Sequence, residues 1–497
     1  MTHLNDIFNQ KILLQSTYNP APHLETELEI MERLLEQGNT IYWIICEGDF
    51  KTCFYNPEHV VLDCKVCLSR VNAGLSVLKK NIENHKNLHI LKYKDFLSLE
   101  DFKKNGFPNE FNFGDLKDLK TFYHKTYDSG MATASSLVSY VRDHDPNLSK
   151  YKNYIYRGLL TGGYLYETFQ NILDNIKPDF VIIFNGRFIE SRPLLRLCQD
   201  LKINYATHER GGKINKFLFR INSIPHSTEA ISEEMKSLWD NAKNDKIQIG
   251  KSFYKNRLQK VEDAWYSFTK EQQEGMLPES FKNNAGKKII TIFNSSLDEH
   301  EGLEGFGAFF YPNDNDGILK ICKSLESHPN IKLYLRVHPN LKGLDNSQNK
   351  FINEEIAKSS AIEIISAEDS VDTYALVDKS DIVLVFRSTI GIEAAFSGKN
   401  VILLASAAYE NLNCVVIPKN HEELMSILTD DSYIFPELNP EEPLKYGYWN
   451  EKFGINYKFY KPINLAKGTY HGKLIKASPI VREMRRIIQK LNGTYKK

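Results

Sequence analysis

Short, nearly uninterrupted runs of Val, Ile, Leu and Phe, each followed by a helical pattern, constrain the fold of this chain more than any other feature. From residue 287 onward they lie in the segments KIITIFNSS, IKLYLRVHPN, AIEIIS, DIVLVFRS and NVILLAS. Strands without polar alternation are buried on both faces, and the helices between them supply the cover. The pattern predicts an α/β fold built on a doubly wound, Rossmann-like parallel sheet.

The first half of the chain carries the same pattern less regularly. A helical pattern over residues 23–36 precedes the strand-like segment TIYWIICE. Further on, the apolar run DFVIIFNG is followed by a helical pattern over 192–201 and by the strand-like INYATHE. These alternations predict a second Rossmann-like domain.

The length of 497 residues corresponds to about two to four domains. Residues 227–275 are polar, charged and helical in pattern, which is typical of a bridge between domains. We predict an N-terminal domain over 1–226 with a Cys-rich loop at 46–67, a helical connector over 227–285, a second domain over 286–477, and a basic amphipathic helix over 478–497 that packs on the body.

Charge and hydropathy exclude two classes of function. Lys and Arg number 63, as do Asp and Glu, so the chain has no global basic field that would gather nucleic acid. No apolar run reaches the roughly 18–20 residues of a membrane-spanning helix, and the start MTHLNDIFNQK lacks the apolar core of an export signal. We expect a cytoplasmic protein without a nucleic-acid partner, with peripheral association at the inner membrane face as an open option.

Polar residues follow several of the predicted strands. Ligands of open α/β sheets bind beyond the carboxyl ends of the strands, so these residues are candidates for a binding site. Asp298 and Glu299, which follow the first of these groups, either orient a sugar or cap a turn. The candidates are Asn294, Ser295, Ser296, Arg336, His338, Pro339, Arg387, Ser388, Thr389 and Glu393.

The segment FRSTIGIEAAFSG has the clearest chemical meaning. Ser388 and Thr389 are N-cap candidates for a helix whose exposed amides suit a phosphate. Arg387 adds positive charge, and Glu393 faces a ribose hydroxyl in this interpretation. The structural alternative is an ordinary capped helix. His338 likewise either donates to a phosphoryl oxygen or is a structural histidine.

Two segments resemble a known enzyme group. Residues 336–340 (RVHPN) and 386–402 (FRSTIGIEAAFSGKNVI) resemble bacterial surface-polysaccharide glycosyltransferases of GT-B type. That group includes capsule polysaccharide synthesis proteins and the sialyl- and Kdo-transferases with His-Pro and Ser-Ser/Thr signatures. The two segments cover less than a fifth of the chain. The resemblance implies two Rossmann-like domains facing a cleft, with the donor nucleotide and its phosphates on the second domain at His338, Ser388 and Thr389.

The resemblance also implies an activity. It predicts a cell-envelope enzyme that moves a sugar from a nucleotide-sugar donor to a capsule, lipopolysaccharide or glycolipid acceptor, without a catalytic metal. Residues 313–317 are interpreted as a loop rather than as a metal-binding Asp-x-Asp motif. Three alternatives stay open: a CDP-glycerol glycerophosphotransferase, a nucleotide-sugar 2-epimerase, and a non-catalytic scaffold in capsule assembly.

The catalytic base of such an enzyme is expected on the first domain. Glu209, at the end of INYATHE, is the first candidate, and an ion pair between Glu209 and Arg210 is the structural alternative. The segments NGR and HERGG resemble parts of capsule-type transferases and suggest an acceptor site. The candidate catalytic residues are Glu209, His208 and Glu190, and the candidate acceptor residues are Asn185, Arg187 and Arg210.

Four cysteines fall within a short stretch, with Cys64 and Cys67 in a CxxC pair preceded by Cys46 and Cys53. Four thiolates form a closed tetrahedral site for structural zinc, or hold an iron-sulfur cluster. The spacing matches no standard finger, and reduced thiols are the alternative in a reducing compartment.

Overall fold

The computed structural model describes residues 4–17, 20–83, 85–262, 269–284, 286–303 and 305–491. Residues 263–268 and 285 of the predicted connector, and residues 492–497 of the predicted C-terminal helix, lie outside this part. The strands are β1 (Lys11–Ser16), β2 (Thr40–Ile45), β3 (Leu88–Lys92), β4 (Phe180–Phe184), β5 (Asn204–Arg210), β6 (Lys216–Ile221), β7 (Lys288–Phe293), β8 (Ile331–Arg336), β9 (Ile362–Ile365), β10 (Ile382–Val385), β11 (Asn400–Leu403), β12 (Ile455–Asn456), β13 (Tyr460–Asn464) and β14 (Lys467–Tyr470). The α-helices are α1 (His23–Glu36), α2 (Val61–Asn81), α3 (Leu99–Lys104), α4 (Leu116–Lys120), α5 (Ser129–Val141), α6 (Lys152–Ile176), α7 (Arg192–Leu201), α8 (Thr228–Asp240), α9 (Lys246–Leu258), α10 (Asp314–Leu325), α11 (Ser347–Glu354), α12 (Thr373–Lys379), α13 (Ile390–Phe396), α14 (His421–Thr429), α15 (Glu442–Lys452) and α16 (Pro479–Leu491).

The chain forms two compact units, each built from segments that are distant in sequence. Unit 1 consists of Met1–Val141, Asn147–Pro225 and Gly454–Lys497, and unit 2 consists of Arg142–Pro146 and His226–Phe453. The predicted domains differ from these units at three places: residues 142–146 of the predicted first domain belong to unit 2, the connector over 227–285 also belongs to unit 2, and the chain returns to unit 1 after Phe453.

Unit 1 contains a seven-stranded sheet in the order β12-β6-β5-β4-β1-β2-β3. The five strands from β5 to β3 are parallel, while β6 and β12 run antiparallel to their neighbours. The chain winds outward from β1 to β3 on one side and through β4 and β5 on the other, so the topological switch point lies between β1 and β4. This topology confirms the doubly wound parallel sheet predicted for the first half.

A buried carboxylate explains why the chain returns to unit 1. Glu29, on α1, is wholly buried. Its two oxygens accept the backbone N–H groups of Lys458, Phe459 and Tyr460 at 2.6, 2.8 and 3.0 Å. Hydrogen bonds to a charged acceptor are stronger than neutral ones, and the side chain of Tyr460 is buried in the core beside α1. The predicted boundary at 477 is therefore wrong, because the core of unit 1 holds the segment that follows Phe453.

Unit 2 contains a five-stranded, entirely parallel sheet in the order β11-β10-β7-β8-β9. Its switch point lies between β7 and β10, where the winding reverses. The register places Phe293 opposite both Arg336 and Val385, so the residues that follow β7, β8 and β10 share one edge. The second doubly wound sheet is confirmed.

The predicted connector is instead part of the core of unit 2. Met235 of α8 and Phe253 of α9 are buried in one cluster with Val385 of β10. A Cβ added to Gly447 of α15 would lie 2.4 Å from the carbonyl oxygen of Gly250 in α9, so these two helices pack backbone to backbone. Within the described residues, no helix is long and apolar enough to cross a membrane.

Candidate functional site

The carboxyl edge of the unit 2 sheet gathers the polar residues predicted from the strand ends. Asn294 is buried directly after β7, and its Oδ1 accepts the backbone N–H of His338 at 2.9 Å. This bond joins the loop after β7 to the loop after β8. The side chain that follows β7 therefore holds the His-Pro turn in place.

A buried aspartate ties a third loop to the same edge. Asp314, at the first position of α10, is fully buried, and its Oδ2 accepts both the N–H and the Oγ–H of Ser295 at 2.9 and 2.6 Å. Its Oδ1 accepts Nη2 of Arg387 at 2.5 Å. Asp314 therefore links the loops after β7 and β10 to α10.

The sequence pattern does not single out Asp314, because it predicts a loop over residues 313–317. That prediction is wrong, since α10 begins at Asp314 and Asn313 caps it by accepting the N–H of Asp316 at 3.1 Å. An Asn followed three residues later by an acidic residue is an N-terminal helix signal that was available in the sequence.

The two arginines predicted to bind a phosphate hold loops at this edge. Arg387, at φ 62°, pairs with Asp314 and also donates from Nε to Ser295 Oγ at 3.3 Å. Arg336 donates from Nη1 to the carbonyl of Ser366 and from Nη2 to that of Asp369, the latter at 3.0 Å. Within the described residues, Nη1 of Arg387 and Nε of Arg336 have no hydrogen-bond partner, so phosphate binding by these arginines stays a prediction.

Another arginine supplies the partly exposed cation of this edge. Arg142 follows α5 in sequence but belongs to unit 2, and 40% of its side chain is exposed. Its Nε donates to Asp298 Oδ2 at 2.7 Å and its Nη2 to the carbonyl of Asn340 at 2.9 Å. No sequence pattern marks Arg142, since 198 residues separate it from Asn340.

His338 is held in one tautomer at this edge. Its Nδ1 accepts the N–H of Asn340 at 3.2 Å, within the 3-10 turn Pro339–Leu341 that begins with Pro339. Burial lowers the pKa of His338 to about 4, with a further decrease from Arg142 and an opposing effect of Asp298. At neutral pH the ring is therefore uncharged and carries its proton on Nε2, which makes it a hydrogen-bond donor.

The acidic residues after β7 belong to the same network. Ser296 Oγ donates to Asp298, and Asn340 donates through Nδ2 to Glu299. Asp298 therefore connects Ser296 with Arg142, and Glu299 helps to hold the turn after His338. Both carboxylates have structural partners at the edge.

The loop after β10 differs in detail from its predicted form. Thr389 stands at the start of α13, exposed, with no side-chain capping bond. The carbonyl of Ser388 accepts the hydroxyl of Tyr409 at 2.5 Å, and a Cβ on Gly391 would lie 2.4 Å from that hydroxyl oxygen. Glycine at 391 is thus required for the approach of Tyr409.

Glu393 is not directed at a ribose. It is buried, accepts the hydroxyl of Tyr374 at 2.6 Å, and pairs with Arg257 at 3.3 Å. These bonds occupy both carboxylate oxygens. The predicted ribose contact is therefore replaced by a link among α9, α12 and α13.

The carboxyl edge of the unit 1 sheet joins two of the predicted residues. Glu209, at the end of β5, accepts Nδ2 of Asn185 at 3.0 Å through Oε2 and the backbone N–H of Arg210 at 3.0 Å through Oε1. Nδ1 of His23 lies 3.7 Å from Oε1. Burial, followed by the charge of Arg210, holds the pKa of His23 well below its usual value. The carboxylate of Glu209 therefore lies beside an uncharged His23 at this edge.

His208 lies behind this group in the interior. It is fully buried, and its Nε2 lies 3.5 Å from Oε1 of Glu27, which is also fully buried. Burial raises the pKa of Glu27, and Ser16 donates to its other oxygen. Apart from this 3.5 Å contact, the ring nitrogens of His208 have no polar partner among the described residues. Sequence reasoning missed Glu27, because a glutamate in the first turns of an amphipathic helix is normally solvated.

Glu190 and Arg187 have other contacts than the group formed by Glu209, Asn185 and His23. Glu190 is buried, accepts the N–H of Phe54 at 3.1 Å, and has its pKa raised by burial to about 7. The Arg187 guanidinium lies 4.6 Å from the ring centroid of Phe188. Glu190 therefore has the properties of a buried acid in the interior, with partners distinct from those of Glu209.

The four clustered cysteines lie in and beside the loop before α2. Among the described residues, no group of three or more His, Cys, Asp or Glu side chains is arranged to hold a metal ion, and all seven cysteines are outside disulfides. Cys53 Sγ accepts the N–H of Asn56 at 3.3 Å, and Cys64 Sγ accepts its Nδ2 at 3.2 Å. Burial raises the pKa of Cys46 to about 12. Burial also raises the pKa of the Cys53 and Cys64 thiols. The zinc or iron-sulfur site formed by Cys46, Cys53, Cys64 and Cys67 stays a prediction.

One protein-family model matches the part of unit 2 that carries the candidate site. Residues 306–412 match the family model "Capsule polysaccharide biosynthesis protein". The match confirms the resemblance drawn from the sequence. It contains α10, the His-Pro turn and the Ser388–Thr389 loop, and so spans most of the edge described above. No curated protein matches the chain significantly by sequence.

Several solved structures share a distant likeness. The β-Kdo 2,7 transferase KpsC of Thermosulfurimonas dismutans is 12% identical, with 65% of this chain and 90% of that chain covered and a TM-score of 0.33. The β-Kdo 2,4 transferase KpsC of the same organism has the same identity and TM-score over 61% and 86% of the two chains. The UDP-GlcNAc 2-epimerase of Neisseria meningitidis is 13% identical over 89% and 97%, with a TM-score of 0.27. A likeness at this level shows no shared activity.

Proposed function

We propose that the chain is a glycosyltransferase of capsule polysaccharide biosynthesis whose nucleotide-sugar donor binds at the carboxyl edge of the unit 2 sheet. One observation carries the proposal: the segment that matches the capsule family contains His338, which follows β8, and Thr389, which follows β10. β8 and β10 are the two neighbours of β7, and the switch point, where such sheets bind ligands, lies between β7 and β10.

The donor phosphates are the group that these residues suit. A neutral His338 with a proton on Nε2, the exposed hydroxyl of Thr389 and the partly exposed guanidinium of Arg142 are three donors toward an anion. Hydrogen bonds to a leaving phosphate stabilise the charge that develops as the glycosidic bond to the donor breaks. The proposal requires no catalytic metal for that step.

Acceptor activation is assigned to unit 1. Glu209 is the proposed base for an acceptor hydroxyl, because its carboxylate is partly exposed at a strand end and is oriented by Asn185. The acceptor class is a surface glycan or glycolipid. His208 is a positioning residue in this scheme, since it is buried, and Glu190 and Arg187 have no assigned contact with substrate.

The test is release of nucleotide from a panel of CMP-, CDP-, UDP- and GDP-sugars by the purified chain, with and without a capsule glycan preparation. Thr389→Ala removes an exposed hydroxyl that makes no capping bond and no hydrogen bond to another described residue, so the variant should fold normally while its turnover falls. Thr389→Ser restores the hydroxyl and should recover most of the turnover.

Each outcome has a distinct meaning. Acceptor-dependent release that Thr389→Ala weakens and Thr389→Ser restores supports the transferase. Conversion of the donor to its epimer without an acceptor would favour the epimerase alternative. A requirement for CDP-glycerol would favour the glycerophosphotransferase, and no turnover of any donor would leave the scaffold as the better description.

A further inference from the structure

Helix α16 presents an apolar stripe to solvent. Ile480, Met484, Ile487 and Ile488 are exposed by 73, 46, 50 and 43%. Their spacing of four, three and one residues places them on one face of a helix. Large apolar side chains grouped in this way mark an interaction surface rather than the scattered exposure seen on any protein.

The helix is held to unit 1 by a different face. Arg485 Nε pairs with Asp63 Oδ1 at 2.6 Å, and the N–H of Ser478 donates to Ser69 Oγ at 2.9 Å. Asp63 and Ser69 both lie on α2. The partly buried side chains of α16 are Val481, Arg485 and Gln489, which are four residues apart and so share one face. The helix therefore packs on the body as predicted, but its apolar stripe is not the packing face.

The apolar surface continues onto the start of α2. Val60 and Val61 are exposed, and they directly precede the turn that holds Asp63. Since Arg485 binds Asp63, these valines lie near the end of α16 that carries Ile488. The stripe and the two valines together extend over two helices.

The segment that carries this stripe is basic. Residues 473–490 contain six Lys or Arg and one acidic residue, Glu483, although the chain as a whole is neutral. The exposed members on α16 occupy the helix face next to the stripe. The six are Lys473, Lys476, Arg482, Arg485, Arg486 and Lys490.

We propose that α16 docks on an anionic bilayer surface, lying in its plane. The apolar stripe enters the boundary between headgroups and acyl chains, and the flanking guanidinium and ammonium groups bind lipid phosphates. A second copy of the chain fits this surface less well, because it would bring two basic faces together. The inference concerns where the protein works and is independent of the donor chemistry.

The experiment is flotation of the full chain with vesicles of phosphatidylcholine alone or mixed with phosphatidylglycerol, at low and high salt. The wild type should float with the anionic vesicles, and high salt should reduce the bound fraction. Replacing Ile487→Ser and Ile488→Ser together should weaken binding by about tenfold or more, since apolar burial and charge both contribute. Ile434→Ser is the matched control, because Ile434 is 87% exposed on unit 2 and should have no effect.

Charge is tested separately with Arg482→Gln combined with Arg486→Gln, which should weaken binding to anionic vesicles. Equal flotation with neutral and anionic vesicles would overturn the proposal, as would no flotation at all. Oligomerisation abolished by the serine variants, without vesicle binding, would assign the surface to a second copy. Thermal stabilisation by nucleotides, measured on the same serine variants, should equal that of wild type, so failure here is distinguishable from failure of the proposed donor site.

Discussion

Arg387 and Asp314 form a buried ion pair at the unit 2 edge, with side-chain exposures of 5 and 0%. Removal of one partner leaves the other charge buried and uncompensated. Arg387→Ala should therefore lower the free energy of unfolding by about 3–5 kcal/mol, as measured by urea denaturation. A variant with unchanged stability would contradict the structural role given to Arg387 here.

The lowered pKa of His338 predicts that the stability of the protein depends on pH. Its folded-state pKa of about 4 lies below its usual value of 6.5, so between these values the unfolded state binds a proton that the native state excludes. The free energy of unfolding should therefore fall as the pH falls from 6.5 toward 4.

The check compares urea denaturation of wild type and His338→Gln at pH 7 and pH 5. The variant should lose less stability than wild type over this interval, because it lacks the titrating ring. Equal losses in both proteins would show that His338 is not the group responsible.

The raised pKa of Glu190 predicts the opposite change: this group makes the free energy of unfolding fall as the pH rises. Its folded-state pKa of about 7 lies above its usual value of 4.5, so the native state retains a proton that the unfolded state has lost as the pH rises between them. Ionisation of the buried acid then costs stability above pH 7. Glu190→Gln should raise the free energy of unfolding at pH 8 by about 1–3 kcal/mol.

At pH 5 the benefit of Glu190→Gln should disappear, because the native carboxyl is then already protonated. A loss of stability at pH 8 would instead mean that the ionised carboxylate is favourably bound. Calorimetric melting at the two pH values distinguishes the cases.

Among the elements, the strands of unit 2 and the positions of its loops were predictable, because apolar runs and the polar residues after them are local patterns. β1 was missed, since the single short segment KILLQS lacks a preceding helical signal, although it is the strand beside the unit 1 switch point. The pairing of Asp314 with Arg387 and the approach of Arg142 to Asn340 are contacts between distant residues. The hydrophobic pattern of a single sequence does not predict contacts between such distant residues.

The docking of the returning segment on α1 depends on one side chain. Glu29→Gln keeps the shape but removes the charge and one acceptor oxygen, so the N–H groups of residues 458–460 lose part of their partner. Stability should fall by about 1–3 kcal/mol, and residues 454–477 should become more susceptible to proteolysis. Glu36→Gln is the control, because that carboxylate pairs with Lys458 Nζ at the exposed surface and should contribute about 0–1 kcal/mol.

On the scale of the whole molecule, two doubly wound sheets were predictable from alternating strands and helices, whereas the route of the chain between them was not. The segments 142–146 and 454–477 are joined to their units by Arg142 and Glu29, whose partners are distant in sequence. Domain boundaries drawn from composition alone assume that each domain is one continuous piece. Here both units are assembled from separate pieces.

The most direct measurement is the melting temperature of the full chain with CMP, CDP, UDP and GDP, compared between wild type, Thr389→Ala and Thr389→Ser. A ligand that binds only the native state raises the melting temperature by mass action. The account predicts that one nucleotide stabilises wild type, that Thr389→Ala reduces the shift without changing the ligand-free melting temperature, and that Thr389→Ser restores it. No shift with any nucleotide at millimolar concentration, or an equal shift in all three proteins, would contradict the assignment of the donor site to the unit 2 edge.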